Sequence, residues 1–152
     1  IVKSLEFFNQ QLKLRDIEVG LELAEDLPMI KADPNRLEQV FVNLLTNSRD
    51  AIGEKFLRDP SSQGEKRITI RTRANRRYVY AEVSDTGTGI PKEIQQRLFE
   101  PFFTTKEVGK GTGLGLSISY RIVTEYGGTI KCVPRAKEGA RFEIIFPRES
   151  ST

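Results

Sequence analysis

The chain has 152 residues, a formal net charge of +3 and a composition that is 38% hydrophobic and 30% charged, which fits one ordinary globular domain with a single functional site. No apolar run approaches the roughly 18 to 20 residues that a membrane-spanning helix needs, and one cysteine cannot form an internal disulfide. The sequence contains no histidine, which excludes Ser-His and Cys-His nucleophiles, the usual zinc sites and the His-Arg-Asp loop of eukaryotic-type protein kinases.

The first predicted element is an amphipathic helix at the start of the chain. Apolar residues recur there at spacings of three and four, at Val2, Leu5, Phe8 and Leu12. Because the sequence begins at Ile1 rather than at methionine, we expect it to be a piece of a longer protein. Residues 1–16 are then a helical linker from an upstream part, and residues 17–152 form one domain.

A short alternating strand over residues 18–23 precedes a long helix. Asp33 and Pro34 supply an N-cap and a proline at the first helical position. The expected apolar face comprises Leu37, Val40, Phe41, Leu44, Leu45, Ser48 and Ile52. Asn43, Asn47 and Asp50 fall on one stripe of this helix, which should lie at the border between the core and solvent.

The remaining elements are shorter. In chain order they are a loop (57–65), a hairpin of two strands (68–74 and 78–84), a short helix (93–99), an aperiodic segment expected to be a mobile loop (101–113), a helix (113–126) ended by two glycines, and two strands (129–133 and 140–146). This order predicts an α/β fold, a two-layer sandwich in which helices pack on one face of a mixed sheet.

Two features favour ordinary structural roles. Six cations crowd the hairpin, namely Lys66, Arg67, Arg71, Arg73, Arg76 and Arg77. Without an aromatic stacking pattern or a recognition module, they favour a solvated strand face over a nucleic-acid surface. Cys132 shares its alternation phase with Ile130, which favours a buried structural thiol over a reactive one.

Glycines concentrate in one part of the chain, since six of the twelve lie between residues 87 and 115. They form two runs, residues 85–89 and 109–115, and the second opens directly into a predicted helix. Such runs let the backbone approach a ligand closely and present N–H groups to anionic oxygens. Neither a P-loop nor a Rossmann fingerprint is present. A phosphate-rich ligand is therefore expected.

Asp85 ends the second hairpin strand. It shares strand parity with Val79, Ala81 and Val83, so its carboxylate is expected to face inward. Two interpretations stay open for Asp85 alone. It caps the following turn, or it accepts a hydrogen bond from the exocyclic amine of adenine, because a buried carboxylate needs donors.

Together these segments resemble the GHKL ATPase superfamily and, within it, the catalytic domain of sensor histidine kinases. The N box corresponds to residues 43–51, the G1 box to 85–89, the F box to 99–106 and the G2 box to 109–116, and residues 127–130 resemble the next turn. The Asn-Ser-Arg-Asp-Ala pattern within the N box resembles the nitrogen-sensor type. The resemblance implies the two-layer Bergerat fold with ATP and Mg²⁺ as ligands.

The resemblance also assigns roles to residues. Asn47 would coordinate Mg²⁺ with Asn43 assisting, Asp85 would bind adenine, and Lys106 and Lys110 would contact phosphate, with Lys106 counted among the catalytic residues. The other nucleotide-binding candidates are Asp50, Gly87, Gly89, Ile90, Thr105, Gly111, Thr112, Gly113, Leu114, Gly115 and Leu116. Mg²⁺ takes few protein oxygens beside water and phosphate, which amide carbonyls can supply.

Three positions separate this chain from parts of the family. Gyrase, MutL and Hsp90 relatives carry a water-activating glutamate at the position of Asn43, and an amide cannot act as a general base. Phosphoryl transfer is therefore favoured over hydrolysis. Ala140 replaces a small hydroxyl residue, which argues against a water-mediated adenine contact there. Asp50 replaces a residue that is often basic, and it would repel phosphate unless a metal neutralises it or water bridges the two.

The resemblance implies a protein-histidine kinase domain that transfers the γ-phosphoryl group of ATP to a histidine on an upstream helical hairpin of a homodimeric parent. A response-regulator aspartate would receive it next. The domain is expected in the cytoplasm without a nucleic-acid partner, and membrane attachment is expected only through other parts of the parent. The alternatives are a GHKL ATPase or anti-sigma-type serine kinase, and a pseudokinase that binds nucleotide only as a structural ligand.

Overall fold

Five strands form one mixed sheet with three α-helices on one face, in a computed structural model that describes residues 1–61, 64–101, 103, 115–133 and 139–149. The elements are α1 (Val2–Leu14), β1 (Glu18–Glu22), α2 (Pro34–Arg58), β2 (Arg67–Ala74), β3 (Tyr78–Asp85), a 3₁₀ helix (Lys92–Arg97), α3 (Gly115–Glu125), β4 (Thr129–Cys132) and β5 (Arg141–Pro147). The strand order is β1-β2-β3-β5-β4, with β1 parallel to β2 and the other neighbours antiparallel. The predicted α/β sandwich is confirmed.

Helix α2 lies at the centre of the helical layer and packs against α1, α3, β2 and β3. The side chain of Asp33 accepts a 2.8 Å hydrogen bond from the backbone N–H of Asn35, and Pro34 is the first helical residue. The residues buried on its core face are Val40, Phe41, Leu44, Leu45, Ser48 and Ile52. The predicted cap is confirmed, and so is the predicted face, with Leu37 only partly buried. The helix extends to Arg58, two residues into the predicted loop.

The two faces of the sheet differ in character. Its helix side carries the core side chains Ile68, Ile70, Val83, Phe142, Ile144 and Phe146. On the other side, one row of charged residues crosses all five strands, at Glu22, Arg71, Glu82, Glu143 and Lys131. Arg71 pairs with Glu22 and lies 3.8 Å from Glu82, and Lys131 lies 3.6 Å from Glu143. This agrees with the predicted solvated strand face.

Two elements differ from the prediction, and a third cannot be compared with it. The strand predicted over residues 18–23 ends at Glu22. Leu21 and Leu23 are 49% and 36% exposed, because β1 is an edge strand while α2 packs on β2 and β3. The helix predicted over residues 93–99 is a 3₁₀ helix that follows Pro91. The predicted mobile loop, residues 101–113, lies outside the described residues except for 101 and 103.

Cys132 is half-buried and packs against the core. Burial raises the pKa of its thiol, a hydrogen bond with the backbone of Arg141 lowers it, and the charge of Asp85 raises it further. A thiol with a raised pKa stays protonated at neutral pH and is a weak nucleophile. These properties support a structural thiol.

Although α2 has 25 residues, no helix in the described part of the chain is both long and apolar enough to cross a bilayer.

Candidate nucleotide site

The first part of the site is the turn that follows β3. Asp85 ends this strand beside Ile68 and is only 3% exposed, so its predicted inward direction is confirmed. One carboxylate oxygen accepts hydrogen bonds from the backbone N–H of Gly87 at 2.9 Å and of Ala140 at 3.3 Å. The Asp85 N–H in turn donates to the Ala140 carbonyl at 2.9 Å. Asp85 therefore caps its turn, as the first interpretation expects, and because each carboxylate oxygen can accept more than one hydrogen bond, the cap and adenine recognition are compatible.

The G1 turn lies directly on helix α2. A Cβ atom at Gly87 would lie 2.6 Å from the backbone carbonyl carbon of Ala51 and 2.8 Å from the nitrogen of Ile52. The Thr88 N–H donates to the Ala51 carbonyl at 3.3 Å. Gly89 has φ +77°, in the left-handed region that favours glycine. These glycines are therefore required by helix packing and by the turn itself, which is a more specific reason than close approach to a ligand.

Replacing Gly87 by alanine is expected to reduce the free energy of unfolding by about 1–3 kcal/mol, because the added methyl group meets helix backbone that cannot move aside. Urea denaturation followed by circular dichroism measures this change. Gly53→Ala is the matched control, for which the free energy of unfolding is expected to increase. Gly53 lies inside α2 with only the Arg15 guanidinium within 4 Å of a new Cβ, so alanine should stabilise the domain by about 0.5–1 kcal/mol. Equal effects of the two changes would contradict the packing role of Gly87.

An open groove of about 560 Å³ borders this turn. It is lined by Lys55, Arg58, Asp59, Gly87, Thr88, Gly89, Ile90, Pro91 and Gly139. The groove thus contains three predicted nucleotide-binding residues, Gly87, Gly89 and Ile90. Asp85 is buried and does not line the groove. Lys55 donates to the Thr86 carbonyl at 3.1 Å, so the far end of α2 also holds the turn.

The second part of the site joins α2 to the start of α3. The Asn43 side-chain nitrogen lies 3.1 Å from both the Gly115 carbonyl and the Ser119 hydroxyl. Ser119 is fully buried and donates to the Gly115 carbonyl at 3.0 Å. Since a carbonyl can only accept, the Asn43 nitrogen must face α3, and its amide oxygen points away from these two partners. Leu116 follows on α3 and packs against the core.

Asn47 and Asp50 lie on the same half-buried stripe of α2 as Asn43, as predicted. Among the described residues, the Asn47 side chain has no hydrogen-bond partner, so its carbonyl oxygen is uncommitted. The Asp50 carboxylate is paired with Arg49, whose Nε and one terminal nitrogen both lie 3.2 Å from it. The negative charge that the sequence places in the N box is therefore offset by a neighbouring cation.

The structure brings part of the predicted site together through α2, which touches the G1 turn at Ala51 and α3 at Asn43. Seven predicted residues lie outside the described part, namely Thr105, Lys106, Lys110, Gly111, Thr112, Gly113 and Leu114. Sequence reasoning missed Ser119 and Arg49. The signals available in the sequence were a serine on the apolar side of α3 and a cation next to Asp50.

The comparisons with known proteins agree with this geometry. Residues 32–150 match the model of the family described as histidine kinase-, DNA gyrase B- and HSP90-like ATPases. The chain is 44% identical to the sensor kinase CckA of Brucella abortus over 97% of its length, and 34% identical to the sensor histidine kinase ZraS of Escherichia coli K12 over 95%. It spans only 16% of CckA and 28% of ZraS.

The chain is also similar to solved structures of histidine kinases. The catalytic domain of the histidine kinase ThkA superposes with a TM-score of 0.80 at 31% identity, over 96% of this chain and 90% of that one. ThkA in a complex with the response regulator TrrA superposes with a TM-score of 0.74 at 30% identity, over 97% of this chain and 39% of that one.

Proposed function

Since this chain belongs to the family of histidine kinase-, DNA gyrase B- and HSP90-like ATPases and is homologous to the catalytic domains of sensor histidine kinases, we propose that it binds Mg²⁺·ATP and donates the γ-phosphoryl group to a histidine of its parent protein. The acceptor histidine would lie on an upstream helical hairpin, because this sequence contains none. An aspartate of a response-regulator receiver domain would then take the phosphoryl group.

The observation that carries the proposal is the buried, braced carboxylate of Asp85. Two backbone N–H groups fix one of its oxygens. We propose that the carboxylate also accepts a hydrogen bond from the exocyclic amine of adenine. A buried carboxylate at the end of a strand, beside a concave glycine-rich turn, would offer the acceptor that the exocyclic amine of adenine needs. Gly87, Gly89 and Ile90 would form the surface around the base.

The two asparagines of α2 fit Mg²⁺. The contacts of Asn43 with α3 direct its amide oxygen away from that helix, and Asn47 is one helical turn further along the same stripe. Mg²⁺ binds one or a few protein oxygens together with water and phosphate. When bound, the metal would neutralise charge on the phosphates during transfer. The chain's own residues orient the nucleotide, and with Asn43 in place of a glutamate they include no general base for water at that position.

The same proposal covers the organisation of the parent. Residues 1–16, which contain α1, would be the linker from the hairpin, and residues 17–152 would be the ATP-binding domain. We propose a homodimeric parent whose catalytic domain works in the cytoplasm, with any membrane anchor in other parts of that protein. A receiver domain is the proposed partner, supported by the TrrA complex of ThkA.

Calorimetry with Mg²⁺ and adenine or guanine nucleotides tests nucleotide binding. The chain should bind one ADP, and GDP at least about tenfold more weakly, because guanine places a carbonyl where adenine has its amine and would face the Asp85 carboxylate. ATP should be hydrolysed very slowly. Equal affinities for ADP and GDP would remove Asp85 from base recognition, and steady ATP hydrolysis would favour an ATPase over a kinase.

A further inference from the structure

Arg49 lies inside the N box, and the proposed function leaves it without a role. We propose that Arg49 is a positioning residue that neutralises the Asp50 carboxylate beside the nucleotide phosphates, and that helix α1 holds Arg49 in the required position. This inference rests on the proposed function, since it assumes that phosphates bind along the stripe of α2 that carries Asn47 and Asp50.

The first observation is the geometry of the pair. The Nε atom and one terminal nitrogen of Arg49 both lie 3.2 Å from the same oxygen of Asp50. Their side chains are only 19% and 29% exposed. Solvent and salt screen a half-buried pair less than a pair on the open surface, so its charges act on their neighbours more strongly.

The second observation is that α1 engages the rest of the Arg49 side chain. Its other terminal nitrogen donates a 2.7 Å hydrogen bond to the side-chain oxygen of Gln11. The guanidinium carbon lies 5.7 Å from the centre of the Phe8 ring, within the range of a cation–π contact. Phe8 is 4% exposed and belongs to the core. Each of the three guanidinium nitrogens thus has a partner, either on Asp50 or on α1.

These contacts decide how Arg49 can act. A guanidinium engaged on three sides is not placed to reach a phosphate itself, and its effect must pass through Asp50. Asp50 is three residues from Asn47, so the two side chains are neighbours on the helix surface. Arg49 offsets the negative charge of Asp50. Without Arg49, Asp50 loses this cation, and its carboxylate repels the phosphates more strongly.

Removal of Arg49 should therefore weaken binding more strongly as the negative charge of the ligand increases. Arg49→Met removes the guanidinium and keeps an unbranched side chain. It should weaken binding of the non-hydrolysable analogue AMPPNP about tenfold, a change of about 1.4 kcal/mol. The affinity for ADP should fall less, and the affinity for adenosine should equal that of the wild-type chain. Calorimetry or NMR titration with the three ligands measures this gradient.

The double variant Arg49→Met/Asp50→Asn separates charge from packing. If Arg49 acts by neutralising Asp50, removing that charge should restore most of the lost AMPPNP affinity. If Arg49 only packs α1 against α2, the double variant should bind no better than Arg49→Met, and all three ligands should lose affinity equally. Either of these results would overturn the proposal.

The role of α1 is tested separately by comparing variants of two adjacent glutamines on this helix. Gln11→Leu removes the acceptor of Arg49 and should weaken AMPPNP binding about threefold, or roughly 0.7 kcal/mol. Gln10 is also exposed, and the hydrogen bond of Arg49 goes to Gln11 instead, so Gln10→Leu should leave binding unchanged. Equal affinities of the two variants would contradict the part assigned to α1. Failure of the wild-type chain to bind Mg²⁺·ATP would instead contradict the proposed function.

Discussion

Replacing Asp85 by asparagine is expected to lower the affinity for ADP at least about hundredfold, which corresponds to about 2.7 kcal/mol, while the domain stays folded. The amide oxygen can still accept from Gly87 and Ala140, as the carboxylate oxygen does now. The amide nitrogen would then face the exocyclic amine of adenine, so that two donors oppose each other. Calorimetry gives the affinity, and thermal unfolding shows whether the turn is intact.

Asp26→Asn provides the matched control. Asp26 is an exposed aspartate in the turn after β1, and the same chemical change there should leave both affinity and melting temperature as they are. An Asp85→Asn variant that binds ADP like the wild type would show that Asp85 only caps its turn. A variant that binds weakly and has also unfolded would be followed by Asp85→Glu, which keeps the charge and should retain more affinity than the amide at equal stability.

Asn47→Ala is expected to reduce phosphoryl transfer at least about hundredfold, since it removes the oxygen that we assign to the metal. Loss of a group that stabilises charge in the transition state typically costs this much. Binding of ADP without Mg²⁺ should be unchanged, whereas the increase in affinity that Mg²⁺ gives for ATP should disappear. Because the Asn47 side chain has no hydrogen-bond partner among the described residues, and alanine favours helix, the variant should be as stable as the wild type.

Asn35→Ala is the control on the same helix. Asn35 is exposed in the first turn of α2, and only its backbone N–H takes part in the cap with Asp33. The Asn35→Ala variant should keep both phosphoryl transfer and the increase in ATP affinity that Mg²⁺ gives. If Asn47→Ala retains that effect, the metal is held by other residues.

Local patterns were enough to predict most of the fold. The Asp33–Pro34 cap, the apolar face of α2 and the inward direction of Asp85 each depend on residues within one element, whose periodicity is visible in the sequence. The exposure of Leu21 in β1 and of Leu23 just after it was not predictable in this way. Their exposure depends on which helix covers the edge of the sheet, and that is decided by packing between distant elements.

The contacts of the candidate site could not be predicted from the sequence, and the roles of its residues stay predictions. Asn43 meets Ser119 across 76 positions of sequence, and Arg49 meets Gln11 across 38. No spacing rule connects residues so far apart. The reason for Gly87 was also hidden, because the sequence shows a glycine-rich turn while only the fold places α2 against it.

Phosphoryl transfer to an upstream hairpin tests the central claim most directly. The chain is incubated with radiolabelled ATP and Mg²⁺, with and without the hairpin of its parent supplied as a separate protein, and the full-length parent serves as the reference. Label that is labile to acid and stable to base, as expected of phosphohistidine, should appear on the hairpin alone, and it should be absent with Asn47→Ala. Label on this chain, or equal transfer by the Asn47→Ala variant, would contradict the account.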